Sequence, residues 1–82
     1  MLELPPIDRQ SKTPPYRQIA AELIARIQRG EYRPDDRLPG LYDIVEAAGV
    51  NRITARKALR LVADEGWAEL SVGLGYYVTE RG

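Results

Sequence analysis

The 82-residue chain is long enough for one small domain only, because chains divide into separate hydrophobic cores at several times this length. It contains neither Cys nor His, which excludes disulfide frameworks, zinc or haem ligation, and catalysis by a thiol or an imidazole. Twelve basic and twelve acidic side chains give a net charge of zero. Overall charge therefore argues against indiscriminate coating of nucleic acid, and only the distribution of charge can indicate a specific contact.

The sequence contains no candidate membrane span or secretion signal. Its longest stretch without a charged residue, Leu70 to Thr79, is far shorter than the ~20 apolar residues that a span needs. The start Met-Leu-Glu-Leu-Pro-Pro lacks the basic and apolar segments of a signal peptide. We therefore expect a cytoplasmic protein with no membrane partner.

Residues 1–12 are predicted to form an extended, mobile arm, since prolines punctuate the start of the chain and no helical period is present. A first helix begins around Thr13 to Pro15, because proline is tolerated in the first turn of a helix. Apolar residues from Tyr16 to Ile27 then recur on one face, and Gly30 ends the helix as a left-handed cap.

A short extended segment and a second helix follow. Arg37-Leu38-Pro39 is predicted to be extended, because a residue before proline is pushed to β geometry. Apolar spacing predicts a helix from about Leu41 to Ala48, with Gly40 as its N-cap, and Gly49 ends it.

A third helix and a hairpin complete the chain. Asn51 is a strong N-cap, and the apolar period behind it predicts a helix running to Glu65. Alternation over 67–72 and the β-favouring run 76–79 flank Gly73-Leu74-Gly75, which predicts a hairpin. The expected fold class is therefore α+β, with three helices, a short strand and a C-terminal β-hairpin.

The second and third helices form a helix-turn-helix, whose second helix can lie in a DNA major groove. Between Asn51 and Arg60 the third helix carries four positive charges and no negative one. A basic stripe alone is more often a solvated helix face, but its position after a helix and a tight turn favours contact with phosphates and base edges. Turning the apolar face inward directs four side chains outward, with Arg52 in the first turn: Ile53, Arg56, Lys57 and Arg60.

Several short motifs occur in order from about Thr13 to Thr79. They are Pro15-Tyr16-Arg17-Gln18-Ile19-Ala20, the connection from Gly30 to Pro39, the segment Gly49-Val50-Asn51-Arg52-Ile53-Thr54-Ala55-Arg56-Lys57-Ala58-Leu59, Glu65-Gly66-Trp67, and Gly73-Leu74-Gly75-Tyr76-Tyr77-Val78. Together they resemble the winged helix-turn-helix DNA-binding domain of GntR-family bacterial transcription regulators. We therefore expect such a domain over residues 13–81, after the arm of residues 1–12.

The resemblance implies that the third helix is the recognition helix. It also implies that the loop from Gly73 to Gly75 is a wing that reaches the adjacent minor groove or its phosphates. Four residues stand where the family typically contacts DNA: Asn51, Arg52, Thr54 and Arg56. The resemblance further implies paired half-sites, so the expected partner is a near-palindromic operator bound by a homodimer.

The sequence departs from the family pattern at three positions. The family's Leu-Pro-Ser-Glu-Arg segment ends here in Tyr42, its frequent wing arginine is Leu74, and a frequent recognition-helix threonine is Ile53. Tyr42 retains one hydrogen-bond donor for a phosphate, and Ile53 offers an apolar contact to a thymine methyl.

The sequence therefore predicts a sequence-specific double-stranded DNA-binding transcription regulator located at the nucleoid. We expect a repressor, because a lone domain has little surface to recruit a polymerase. We expect no enzymatic activity, no cofactor, no metal and no metabolite-binding domain in this chain. The alternative is a winged-helix protein-interaction module without DNA binding, which the zero net charge, Tyr42 and Leu74 favour.

Overall fold

Three helices and an antiparallel hairpin follow one another along the chain in the computed structural model, which describes residues 2–80. Met1 of the predicted arm and Arg81 of the predicted domain lie outside these residues. The order confirms the predicted α+β fold class. The elements are α1 (Pro15–Gln28), α2 (Leu41–Ala48), α3 (Arg52–Asp64), β1 (Ala68–Ser71) and β2 (Gly75–Val78).

Local signals in the sequence set the ends of the helices. Gly30 takes a left-handed φ of +83° after α1, and the Glu31 N–H donates to the Arg26 carbonyl at 2.9 Å, as in a Schellman cap. The Asp43 carboxylate accepts from the Gly40 N–H at 3.0 Å at the start of α2. Asn51 Oδ1 accepts from the Thr54 N–H at 2.9 Å, which confirms Asn51 as the N-cap of α3.

The core lies where α1 and α2 pack against α3, and the hairpin closes one side of it. Among the described residues every fully buried side chain of this core is apolar, so hydrophobic burial supplies its stability. None of the three helices described has the length and apolar character that crossing a membrane requires. The buried residues include Ile19, Leu23, Leu38, Ile44, Ala55, Ala58, Leu59, Val62, Ala68 and Val78.

The hairpin pairs β1 with β2 so that Ala68 faces Val78 and Ser71 faces Gly75. Its turn is therefore residues 72–74, and Gly75 lies in β2 rather than in the loop where the sequence placed it. The predicted extended segment forms an isolated β-bridge between Arg37 and Tyr77, not a full strand. The Leu38 N–H donates to the Tyr76 carbonyl at 2.8 Å and fixes this segment beside the wing.

The N-terminal arm packs against the domain, with no helix or strand in residues 2–8 and turns or bends over residues 9–13. Leu2, Leu4 and Ile7 contact the core because they are apolar and reach it from a single extended segment. Gln18 holds the arm through the main chain of Asp8, donating to its carbonyl and accepting from its N–H at 2.9 Å each.

Two arginines add further contacts to the arm. Arg26 Nη2 donates to the Glu3 carbonyl, and a hydrogen bond with Glu22 raises the pKa of Arg26, so this side chain stays charged. Arg9 Nη2 donates to the Gly49 carbonyl at 3.3 Å and connects the arm to the turn between α2 and α3. The arm therefore spans α1 and reaches the helix-turn-helix.

Candidate nucleic-acid interface

The outer face of α3 is basic, whereas its inner face is apolar. Ala55, Ala58, Leu59 and Val62 are buried, and this leaves the intervening positions for solvent. Thr54 is half-buried. The side chains predicted to point outward are all exposed: Arg52, Ile53, Arg56, Lys57 and Arg60.

The four cations of α3 have no acidic partner within residues 2–80. The ion pairs in this part of the chain lie on or beside α1, where Glu22 and Glu31 bind Arg26 and Arg29. Lys57 Nζ lies 5.8 Å from the centre of the Tyr16 ring, a cation–π arrangement that leaves its charge unneutralised. This face therefore presents uncompensated positive charge to a ligand.

The Asn51 side chain at the start of α3 has one polar atom that is hydrogen-bonded and one that is not bonded within residues 2–80. The Oδ1 atom of Asn51 is occupied by the Thr54 N–H, but the side-chain NH2 of Asn51 makes no hydrogen bond within residues 2–80. An amide NH2 can donate to a phosphate or to a base acceptor. The positive end of the helix dipole lies at the same place and favours an anion.

Two apolar or weakly polar side chains stand among these donors. Ile53 is 64% exposed and Tyr42, at the start of α2, is 65% exposed, so neither belongs to the core. Exposed large side chains of this kind are available for contact with a partner surface. Tyr42 and Ile53 thus remain candidates for the contacts that the sequence assigned to them.

A groove of about 740 Å³ separates α3, from Arg56 to Asp64, from the wing. Arg56 and Arg60 line it from the helix, and Gly73, Leu74 and Gly75 line it from the hairpin. The structure therefore brings two predicted cations together with both predicted wing glycines. The remaining predicted residues, Tyr42, Asn51 to Thr54 and Lys57, are not part of the lining.

Arg37 is a groove residue that the sequence reasoning did not identify. It lines the same groove as Arg56 and Arg60, and its Nε donates to the Leu74 carbonyl at 2.9 Å. In the sequence, only the extended segment that contains Arg37 could have indicated its place in the groove. Pairing of that segment with the hairpin brings the Arg37 side chain to the wing. Basic residues of α3 alone gave no indication of it.

Comparison with known proteins agrees with this arrangement. The chain matches the model of the family described as bacterial regulatory proteins, gntR family, over residues 15–78. It is 42% identical over 68 residues to the mannosyl-D-glycerate transport/metabolism system repressor MngR of Escherichia coli (strain K12), covering 83% of this chain and 28% of that protein. The chain thus spans less than a third of the length of the curated relatives it matches first.

Solved structures share the fold. YtrA from Sulfolobus acidocaldarius, a GntR-family transcription factor, superposes with a TM-score of 0.84 at 38% identity, covering 93% of this chain and 80% of that chain. AraR(DBD) in complex with operator ORE1 superposes with a TM-score of 0.80 at 28% identity, covering 95% of both chains.

Three helices with a hairpin wing, and a basic third helix after a tight turn, define a winged helix-turn-helix domain of the transcription-regulator class. The chain belongs to the gntR family of bacterial regulatory proteins. Both findings confirm the family and fold that the sequence motifs indicated.

Proposed function

We propose that this domain binds double-stranded DNA at a specific sequence, with α3 in the major groove and the wing at the adjacent minor groove or its phosphates. One observation carries the proposal: four cations without acidic partners in residues 2–80 lie on one exposed face of α3, in a chain of zero net charge. Neutralising phosphates with such cations releases counterions and drives binding. The operator complex of AraR(DBD), a protein of the same fold, supports binding to DNA.

Within this interface the residues have different tasks. Arg52 and Arg56 lie toward the N-terminal end of α3, where base edges come within reach, so they read the sequence. Lys57 and Arg60 bind phosphates. Ile53 meets a thymine methyl, and the remaining predicted residues serve the sugar-phosphate backbone: Tyr42, Asn51 and Thr54, with Gly73 and Gly75 shaping the wing.

We further propose that the protein is a transcription repressor that acts at the bacterial nucleoid as a homodimer on a near-palindromic operator. The name of its Escherichia coli relative, a repressor, supports the direction of regulation. The proposal makes it a binding protein and not an enzyme. A protein-interaction module without DNA binding is less consistent with the unpaired cations, since these have a high cost at a protein interface unless a partner neutralises them.

Selection of bound sequences from a random pool of duplexes tests the proposal. We expect one enriched sequence with two related half-sites, and an affinity for it that falls linearly with salt on logarithmic axes. Retention of no sequence at low salt would contradict DNA binding and favour the protein-interaction module.

A further inference from the structure

Residues 70–79, the outer part of the wing, lack charge of their own, although the exposed Glu69 of β1 comes just before them. They contain no Lys, Arg, Asp or Glu. Their exposed side chains are apolar instead, namely Leu70, Val72 and Leu74. A wing with this composition has only main-chain groups and hydroxyls for a phosphate, and no cation.

Arg37 places a guanidinium directly against this neutral wing. Its Nε donates to the Leu74 carbonyl at 2.9 Å, although the two residues are far apart in the sequence. The backbone of Arg37 pairs with Tyr77, so the side chain starts from a fixed position beside β2. Both the main chain and the side chain therefore hold the guanidinium at the wing.

The two terminal nitrogens of Arg37 remain available. Neither makes a hydrogen bond or an ion pair with any residue in 2–80, and the side chain is exposed in the groove that Arg56 and Arg60 also line. An arginine presents five N–H donors in a planar fork, and only the one on Nε is used here. The other four are left to bind a ligand.

Gly75 makes room for this arrangement. A Cβ built on Gly75 would lie 2.9 Å from Nε of Arg37, closer than such atoms approach in proteins, and 3.5 Å from Nη2, an ordinary contact. Gly75 also has a φ of +119°, a conformation that other residues rarely adopt. The glycine at the start of β2 thus allows the guanidinium to lie on the wing backbone.

We propose that Arg37 supplies the cation of the wing: it fixes the wing through the Leu74 carbonyl and donates from its terminal nitrogens to a DNA phosphate beside the wing. This inference rests on the proposed DNA binding of α3. A phosphate is the fitting ligand because a planar guanidinium can bind two of its oxygens at once. The contact is independent of sequence, unlike those assigned to Arg52 and Arg56.

Substitutions of Arg37 can separate the effect of its positive charge from the effect of its hydrogen bond to the Leu74 carbonyl. Arg37→Gln keeps an N–H donor on the atom bonded to Cδ, so the contact with Leu74 is retained while the charge is lost. Arg37→Lys keeps the charge but not that donor. Arg33→Gln is the matched control, because Arg33 is an exposed arginine of the same connection whose side chain makes no hydrogen bond within residues 2–80.

We expect Arg37→Gln to weaken binding of the selected duplex and of a scrambled duplex alike, by about tenfold, as loss of one charge-assisted hydrogen bond implies. The slope of log K against log salt should become shallower by about 0.9, the value for one phosphate. Arg37→Lys should keep the wild-type slope. Arg33→Gln should change neither quantity, and thermal unfolding should show that every variant folds.

Leu74→Arg gives a second, independent readout. In the Arg37→Gln background, Leu74→Arg should steepen the slope of log K against log salt by about 0.9 and so restore it. In the wild-type background the slope should steepen by less, because Arg37 already contacts the phosphate there. An unchanged slope in Arg37→Gln, or a slope that stays shallow in the double variant, would overturn the role of Arg37. If Arg52→Ala still weakens binding in that case, the proposed function stands without this inference; if the wild-type domain binds no duplex, both fail.

Discussion

Arg52 and Arg56 lie one helical turn apart on the same side of α3, so both can face the floor of a groove while Lys57 turns toward its wall. We predict that alanine at Arg52 or Arg56 costs about 1–3 kcal/mol on the selected duplex and relaxes preference at one base pair. Alanine at Lys57 should weaken all duplexes alike. Competition titrations with selected and scrambled duplexes measure the difference.

The comparison with Lys57 serves as the internal control for these two arginines. Each substitution removes one positive charge from the same face of α3, so the loss of charge as such is matched. Equal losses on selected and scrambled DNA for Arg52→Ala and Arg56→Ala would contradict their assignment to bases.

Tyr42 offers a test of the start of α2, where the side chain is 65% exposed and free of the core. We predict that Tyr42→Arg folds normally and strengthens DNA binding, because it adds a guanidinium at an exposed position that we propose lies at the phosphates. The slope of log K against log salt should steepen by about 0.9. Tyr42→Gln is the neutral control, and a gain in affinity for that variant as well would argue against a new phosphate contact.

At the scale of elements, the arm depends on one glutamine of α1. Gln18 makes three hydrogen bonds to the main chain of Asp8 and Thr13. We predict that Gln18→Ala lowers the free energy of unfolding by about 1 kcal/mol, since the exposed setting of these bonds reduces their net value. Amide exchange in residues 2–9 should accelerate at the same time, because the arm loses its anchor.

Gln28→Ala is the matched control for the arm, because Gln28 is an exposed glutamine of the same helix without a hydrogen bond from its side chain in the described part of the chain. Its effect on unfolding should stay within about 0.5 kcal/mol. Equal exchange in residues 2–9 for both variants would show that the apolar contacts of the arm hold it without Gln18.

The elements differ in how far the sequence could predict them. Helical periodicity and the cap at Asn51 are local signals, and the structure confirms α3 from them. Prolines indicate that the arm is extended. They do not indicate that Leu4 and Ile7 pack against the core, because residues distant in the sequence form the core surface that these side chains contact. Leu61 is likewise half-buried against the core. Arg37 joins the site only through pairing with Tyr77.

For the whole molecule, the distribution of charge matters more than its sum. Four cations on α3 leave the rest of this neutral chain net acidic. The basic face is therefore attracted to DNA while the remainder of the surface is repelled, which favours one orientation of approach and limits indiscriminate binding. A single domain of this size contacts little DNA, so one copy gives limited affinity.

The final prediction concerns the number of copies on DNA. We expect two domains on the selected duplex at saturation, because two half-sites double the contacted surface, and sedimentation measures this directly. The apolar residues Leu2, Leu4, Ile7 and Leu61 already pack against their own core. We therefore expect the spacing of the half-sites on the DNA to hold the two copies in place. A duplex with one half-site should accordingly bind one copy, and one copy on the full site at saturating protein would contradict the paired arrangement.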